Sequence, residues 1–181
     1  MGYSISWLAV RGIPKDEVLA RLRLRDSGET DDANESPVSG AELPMGWYVL
    51  FLNDLTHPFV ESKPLQELSH GCEIVGCHVE EHVMFSASFH YSDGRHDWTI
   101  THASGIGIYH LDVEGVAPSF LAELRAASQK EQDEDGGQKA EVDHIFDVPL
   151  KAAERICGFR HDRWRFDWGE PQFTELHGND A

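Results

Sequence analysis

Cysteine is scarce in this chain: Cys72, Cys77 and Cys157 are the three in 181 residues. An odd number without a secretion signal argues against a disulfide framework, and Cys72 and Cys77 do not have C-x-x-C spacing. We therefore expect three buried thiols.

Long apolar runs are lacking as well. No stretch approaches the roughly 18 consecutive apolar residues that a membrane-spanning helix needs. The first residues, MGYSISWLAVRG, have neither the basic region nor the apolar region of a secretory signal. We expect a protein that does not enter the membrane and that is located in the cytoplasm.

Basic residues are outnumbered: 15 Lys and Arg stand against 32 Asp and Glu, which gives a formal net charge of −17. Much of the acidity lies in two segments, an acidic loop at 26–44 and an acidic segment at 129–143. A field of this sign repels the phosphates of nucleic acid and of anionic membranes. We expect neither as a partner, and we expect the acidic segments to serve solubility rather than recognition, with the docking of a basic partner protein as the alternative.

A glycine-rich phosphate-binding loop is also missing. The segment Ser104-Gly105-Ile106-Gly107 matches neither a Walker motif nor a dinucleotide fingerprint, and it lies between predicted strands. We therefore expect no cofactor.

The residues that are present predict one domain, residues 1–181, because 40% of them are hydrophobic and no internal repeat occurs. Apolar runs predict strands at 3–10, 47–52, 72–79 and 142–148. Helical spacing of apolar residues and prolines at helix starts predict helices at 14–25, 64–69, 117–130 and 149–158.

A β-hairpin is the most detailed prediction. Apolar and polar residues alternate from Val83 to Tyr91, and Asp93-Gly94 is typical of a two-residue type I′ turn. This turn would place Phe89 opposite Trp98. A further strand at 108–113 would complete a three-stranded antiparallel meander over about 83–113. The predicted fold class is therefore α+β, mainly antiparallel, with helices packed on one face of the sheet.

The other face of that meander would be polar. Its candidate contacts to a ligand or partner are Ser88, His90, Asp97, His110 and Asp112. Serine, histidine and aspartate together suggest a nucleophile, but a flat face offers no oxyanion donors and does not exclude water. We expect a solvent-facing or partner-facing surface, with a small-ligand site as the alternative.

The segment His78-Val79-Glu80-Glu81-His82 fits the H-x-x-E-H zinc-protease pattern. Two histidines four residues apart can share a metal on a helix, whereas on a strand they lie roughly 13 Å apart. The flanking residues favour strands, and no third ligand stands at a recognisable spacing. His78 and His82 are thus weak candidates, and we expect no metal site.

Arginines and aromatic residues are concentrated between Gly158 and Trp168. The candidate interface residues there are Arg160, Arg163, Trp164, Arg165 and Trp168. These residue types are enriched in binding hot spots and can stack on nucleobases. Three interpretations remain: a final strand with its aromatics in the core, a protein interface, or a nucleic-acid contact.

The stretches GYSISWLAVRG, GWYVLFLND, LSHGCEIVGCHVEEHVM and GFRHD together resemble a group of uncharacterised bacterial proteins. The resemblance extends over most of the chain and implies a small bacterial cytosolic protein, without implying an activity or site. An immunity-like role, in which a small acidic domain neutralises a toxin, is an analogy at the level of protein class.

Taken together, these features predict a non-enzymatic protein-interaction module that binds an unknown partner protein or a second copy of itself. The alternative is a small-molecule-binding or hydrolytic domain. Its cleft would contain histidine and aspartate residues from the set His82, His90, His110 and Asp112.

Overall fold

A computed structural model of the protein describes residues 2–179. Nine antiparallel strands form a single sheet in the order β2-β9-β3-β4-β1-β5-β6-β7-β8. The strands are β1 Ser4–Arg11, β2 Leu24–Thr30, β3 Val38–Glu42, β4 Trp47–Leu52, β5 Glu73–Glu80, β6 Phe85–Ser92, β7 Arg95–Ala103, β8 Asp112–Gly115 and β9 Thr174–Gly178. The helices are α1 Lys15–Leu22, α2 Ser62–Leu68, α3 Leu121–Glu134 and α4 Asp147–Cys157. The α+β class and the antiparallel sheet are confirmed.

Both faces of the sheet are covered. All six residues of β4 are buried, which explains why the run WYVLFL is apolar without alternation. Trp7 and its neighbours on one face pack against α3 and α4, while Leu8 and its neighbours on the other face pack against α1 and α2. The helices therefore lie on two faces of the sheet, and the expectation that they share one face was wrong in this detail. No helix within residues 2–179 is long and apolar enough to cross a membrane.

The acidic segment 26–44, which we predicted to be a loop, carries β2 and β3. The middle of β3 is made of the small residues Ser39, Gly40 and Ala41, and β3 pairs with the apolar strand β4. Gly40 shows why small residues are needed there, because a Cβ atom on it would lie 2.2 Å from the Tyr48 hydroxyl oxygen. Small residues are therefore needed in β3 because the side chain of Tyr48 fills the space beside Gly40.

The predicted meander exists, but its register differs from the prediction. Ser92 pairs with Arg95 across the turn as expected, and Asp93 and Gly94 have the positive φ angles of a type I′ turn, 50° and 75°. Two residues further along the hairpin, a β-bulge at Asp97 shifts the pairing, so that His90 lies opposite Trp98.

The shift by one residue moves the apolar side chains of β7 to the other face of the sheet. Trp98 and Ile100 pack with Trp7 on the face of α4, whereas Phe89 packs on the face of α2. The third strand is β8, and Ile100 pairs with Val113 rather than Leu111. The face that we predicted to be polar and open is therefore in large part buried.

Candidate functional site

A cleft of about 460 Å³ opens beside the start of β1. It is enclosed by three parts of the chain that are far apart in sequence: Tyr3 before β1, residues 32–34 before β3, and residues 159–173 between α4 and β9. The polar and charged side chains of its lining are Asp32, Asn34, His161, Asp162, Arg163, Glu170 and Gln172. We refer to it as the His161 cleft.

His161 is the buried polar residue of this lining. Its side chain is 1% exposed, and neither ring nitrogen has a hydrogen-bond partner within the described residues. Glu81 is the nearest carboxylate, with Oε1 at 3.8 Å from Nε2, which is beyond hydrogen-bond distance. Burial lowers the pKa of His161, so the ring is neutral near pH 7 and presents one acceptor and one donor.

The position of His161 is fixed by the residues before it. Helix α4 ends at Cys157 and is capped by Gly158, whose φ of 75° is the left-handed conformation that glycine adopts after a helix. Phe159 is then 1% exposed and stands edge-on to Trp7, with 5.1 Å between ring centroids. Because Phe159 is anchored in the core, residues 160–162 leave the helix in one defined direction.

Arg160 anchors the same segment through ion pairs. Its guanidinium donates to Asp162 at 2.7 Å and to Asp147, the first residue of α4, also at 2.7 Å. Burial by itself would lower the pKa of Arg160, but the two carboxylates outweigh that effect and raise it. Burial would likewise raise the pKa of Asp162, and Arg160 more than offsets this and lowers it.

Residues 32–34 of the cleft lining belong to a loop, residues 31–36, that is held in place by hydrogen bonds. The buried carboxylate of Asp31 accepts hydrogen bonds from the backbone N–H groups of Glu35 at 2.9 Å and Ser36 at 3.1 Å. The backbone N–H of Asp31 donates to the carbonyl of Phe173 at 2.9 Å. These bonds hold the exposed Asp32 at the rim of the cleft.

The predicted interface residues of the C-terminal segment separate into three kinds. Arg163 and Trp164 line the cleft, and Trp164 is 71% exposed. Arg160 is 7% exposed and serves the ion pairs described above. Arg165 is exposed and lies over the ring of Trp164 at 5.5 Å, while Trp168 stacks on Phe166 at 4.9 Å. The segment forms one isolated bridge, between Phe166 and Gly169, rather than the alternating strand that was one interpretation.

The polar-face candidates do not form one site. Ser88 is fully buried and its hydroxyl has no partner among residues 2–179, whereas its neighbour Ser86 donates to the carbonyl of Phe146 at 2.7 Å. The burial of Ser88 corrects the expectation of an open face. Ser88 is buried because the shifted register places Trp98 and Ile100 on its side of the sheet. His110 and Asp112 lie at the β8 end of the sheet, with Nε2 and Oδ2 at 3.0 Å from each other.

His90 and Asp97 form a separate cluster at the bulge. Asp97 Oδ2 lies 2.9 Å from His90 Nδ1 and accepts a hydrogen bond from Ser92 at 2.5 Å. Glu73 lies 3.2 Å from the other ring nitrogen of His90 and is paired with Arg11. Both nitrogens of His90 therefore face carboxylates, and the contacts of His90 and Ser92 with Asp97 tie the bulge to β6.

The two histidines of the zinc-protease pattern have different partners. His78 Nδ1 lies 2.8 Å from Ser6 Oγ, and that hydroxyl donates to the carbonyl of Leu55. His82 Nδ1 lies 2.6 Å from Glu80 Oε1. The segment is a strand followed by a turn, so the helical geometry of such proteases is not formed. Over residues 2–179, no group of three potential ligands is arranged to hold a metal ion.

The cysteines are all buried free thiols, as we expected. Burial raises the pKa of Cys157 to about 12 and raises that of Cys77. A thiolate is the reactive form of cysteine, so neither residue is placed to act as a nucleophile near neutral pH.

Comparison of the chain with family models, curated proteins and solved structures found no match. The His161 cleft therefore has to be interpreted from its own geometry. Our sequence reasoning identified Arg163 and Trp164 as candidate contacts but missed His161 and the wall at 32–34. One feature of the sequence pointed towards His161. It lies in GFRHDRW between Phe159, which enters the core, and Trp164, which is exposed.

Proposed function

We propose that the protein is a non-enzymatic protein-interaction module and that its partner binds at the His161 cleft. The observation that carries the proposal is the buried imidazole of His161, which lines an open cleft and has no hydrogen-bond partner in the described chain. A buried polar group without a partner costs roughly 1–3 kcal/mol, and a bound partner would satisfy it.

The rim of the cleft has the composition of a binding hot spot. Trp164 exposes 71% of its surface, and the arginines at 163 and 165 flank it. Tryptophan and arginine carry a disproportionate share of the binding energy at protein interfaces. A large exposed indole next to a recessed polar group is an arrangement that a partner could cover.

The lining also supports binding rather than covalent catalysis. It contains no serine, threonine or cysteine, so His161 has no aliphatic hydroxyl or thiol to activate, and the hydroxyl in the lining is the phenol of Tyr3. A second function, the binding of a small molecule, is favoured by the volume of about 460 Å³, which lies within the usual range for such sites. In both cases the same cleft is the site.

The proposal is tested by capturing partners from the source cells with the full chain and with two matched variants. Trp164→Ala removes the exposed indole at the cleft. Val116→Ala removes an exposed apolar side chain, 84% accessible, that follows β8 at the other end of the sheet. We expect quantitative mass spectrometry to find a partner with the unchanged chain and with Val116→Ala, and to lose it with Trp164→Ala.

Sedimentation velocity of the same three proteins measures whether the chain associates with itself. A dimer that dissociates on Trp164→Ala would identify the partner as a second copy of the chain. Recovery of the protein alone and as a monomer would overturn the proposal, as would a partner that Trp164→Ala retains.

A further inference from the structure

Building on the proposed function, we infer that the His161 cleft receives a cationic side chain of the partner protein, with an arginine guanidinium as the best-matched group. The lining contains three carboxylates, Asp32, Asp162 and Glu170, and one permanently charged base, Arg163. Asp162 and Glu170 are paired with Arg160 and Arg165, so the carboxylate of Asp32 is the charge that repels an anionic group and attracts a cation.

Arg163, the basic residue of the lining, does not neutralise the charge of Asp32. Arg163 donates to Glu154 of α4 at 2.6 Å, so its charge is engaged outside the cleft. Asp162 and Glu170 are each paired with an arginine of the same segment. By contrast, within residues 2–179 no base is paired with Asp32 at 4.0 Å or less, which leaves its carboxylate for a ligand.

The recessed side of the cleft offers a hydrogen-bond acceptor. The neutral ring of His161 has one nitrogen lone pair, and neither ring nitrogen is within hydrogen-bond distance of a described group. A guanidinium carries five N–H donors in a planar fork, so the same group can pair with a carboxylate and also donate to a neutral imidazole nitrogen, the two kinds of acceptor that Asp32 and His161 supply to the lining.

The aromatic rim already holds a guanidinium. Arg165 lies over the ring of Trp164 at 5.5 Å, which is within the distance for a cation–π contact. Tyr3, 41% exposed, adds a second aromatic ring to the lining. Arginine stacks on such rings better than lysine, because its charge is spread over a flat group.

The charge of the whole molecule acts in the same direction. A formal net charge of −17 attracts a basic partner from a distance and increases the rate of encounter, and salt weakens this attraction. A basic segment of a partner protein thus combines long-range attraction with a group that fits the cleft.

The test uses two peptide mimics, N-acetyl-arginine amide and N-acetyl-citrulline amide, titrated into the isotope-labelled full chain and followed by NMR. Citrulline replaces the guanidinium with a neutral urea of nearly the same shape. We expect arginine amide to shift the indole signal of Trp164 and the ring signals of His161. Citrulline amide should bind about threefold to fivefold more weakly, the size of an exposed charge contact.

Matched variants connect the effect to the cleft. Asp32→Asn should weaken arginine amide binding about threefold, since it removes the unpaired carboxylate without changing its shape. Asp112→Asn, at a carboxylate that is 81% exposed on β8, should leave the binding unchanged. Equal binding of the two mimics, or equal effects of the two variants, would overturn the inference.

The two proposals fail in different ways. If a partner is lost with Trp164→Ala but arginine and citrulline amides bind alike, the interaction site remains and the cationic occupant is wrong. If no partner and no dimer depends on Trp164, the interaction module itself is wrong.

Discussion

The imidazole of His161 stands edge-on to the ring of Tyr3, with 4.9 Å between the ring centroids and 88° between the planes. Tyr3 is itself held by Glu81, whose carboxylate accepts the backbone N–H of Tyr3 at 2.9 Å. Packing therefore positions the imidazole, while its two nitrogens make no hydrogen bond to the described chain. The hydrogen-bonding capacity of this buried ring is therefore not used by the described chain.

Two buried serines on β6 should respond differently to the loss of their hydroxyl groups. Ser86→Ala should lower the free energy of unfolding by about 1–2 kcal/mol, because it leaves the carbonyl of Phe146 without its donor. Ser88→Ala should change it by less than about 0.5 kcal/mol or raise it, since that hydroxyl has no partner. Urea denaturation of both variants checks the difference, and a larger loss for Ser88→Ala would contradict the geometry.

Two arginines of the C-terminal segment should differ in their contribution to stability. Arg160→Ala should destabilise the protein by about 2–3 kcal/mol, because it leaves Asp147 and Asp162 without their shared cation. Arg165→Ala should cost less than about 0.5 kcal/mol, since its side chain is 73% exposed. Thermal and chemical unfolding measure both, and equal losses would count against the ion-pair network.

His78 should make the protein sensitive to acid. Burial lowers its pKa from 6.5 to about 4 in the folded state, so the unfolded chain takes up a proton first as the pH falls. The contribution of His78 to stability is therefore complete above pH 6.5 and is lost as the pH falls towards 4. The loss should reach about 2–3 kcal/mol.

His78→Asn provides the control for that experiment. Ser6 donates its only hydroxyl proton to Leu55, so it accepts from His78 Nδ1–H, and an asparagine amide can replace this donor without titrating. Unfolding free energies of both proteins across this pH range should converge as the pH falls. A difference that stays constant with pH would rule out His78 as the origin.

Much of the fold could be predicted from patterns of neighbouring residues. The apolar runs of β1, β4 and β5 and the Asp93-Gly94 turn were predicted because strand periodicity and turn chemistry are encoded in neighbouring residues. The bulge at Asp97 was not predicted, since it depends on hydrogen bonds from Ser92 and His90 that exist only after the strands pair.

The candidate site was predictable only in part. Trp164 and Arg163 stood out by residue type in an acidic chain, but the cleft joins them to Tyr3 and Asp32, more than a hundred residues away in sequence. His161 carries no signal by itself, because a lone histidine has many ordinary roles. Its importance comes from burial without a partner, which is a property of the assembled structure.

The free energy of unfolding of His161→Leu, measured against the unchanged protein at about pH 8 where both states hold a neutral histidine, tests the central claim most directly. If His161 is kept for a ligand, its replacement by an apolar side chain removes an unsatisfied polar group. Stability should then stay within about 0.5 kcal/mol or rise by about 1 kcal/mol. A loss of about 2 kcal/mol or more would show that His161 supports the fold and would contradict the account.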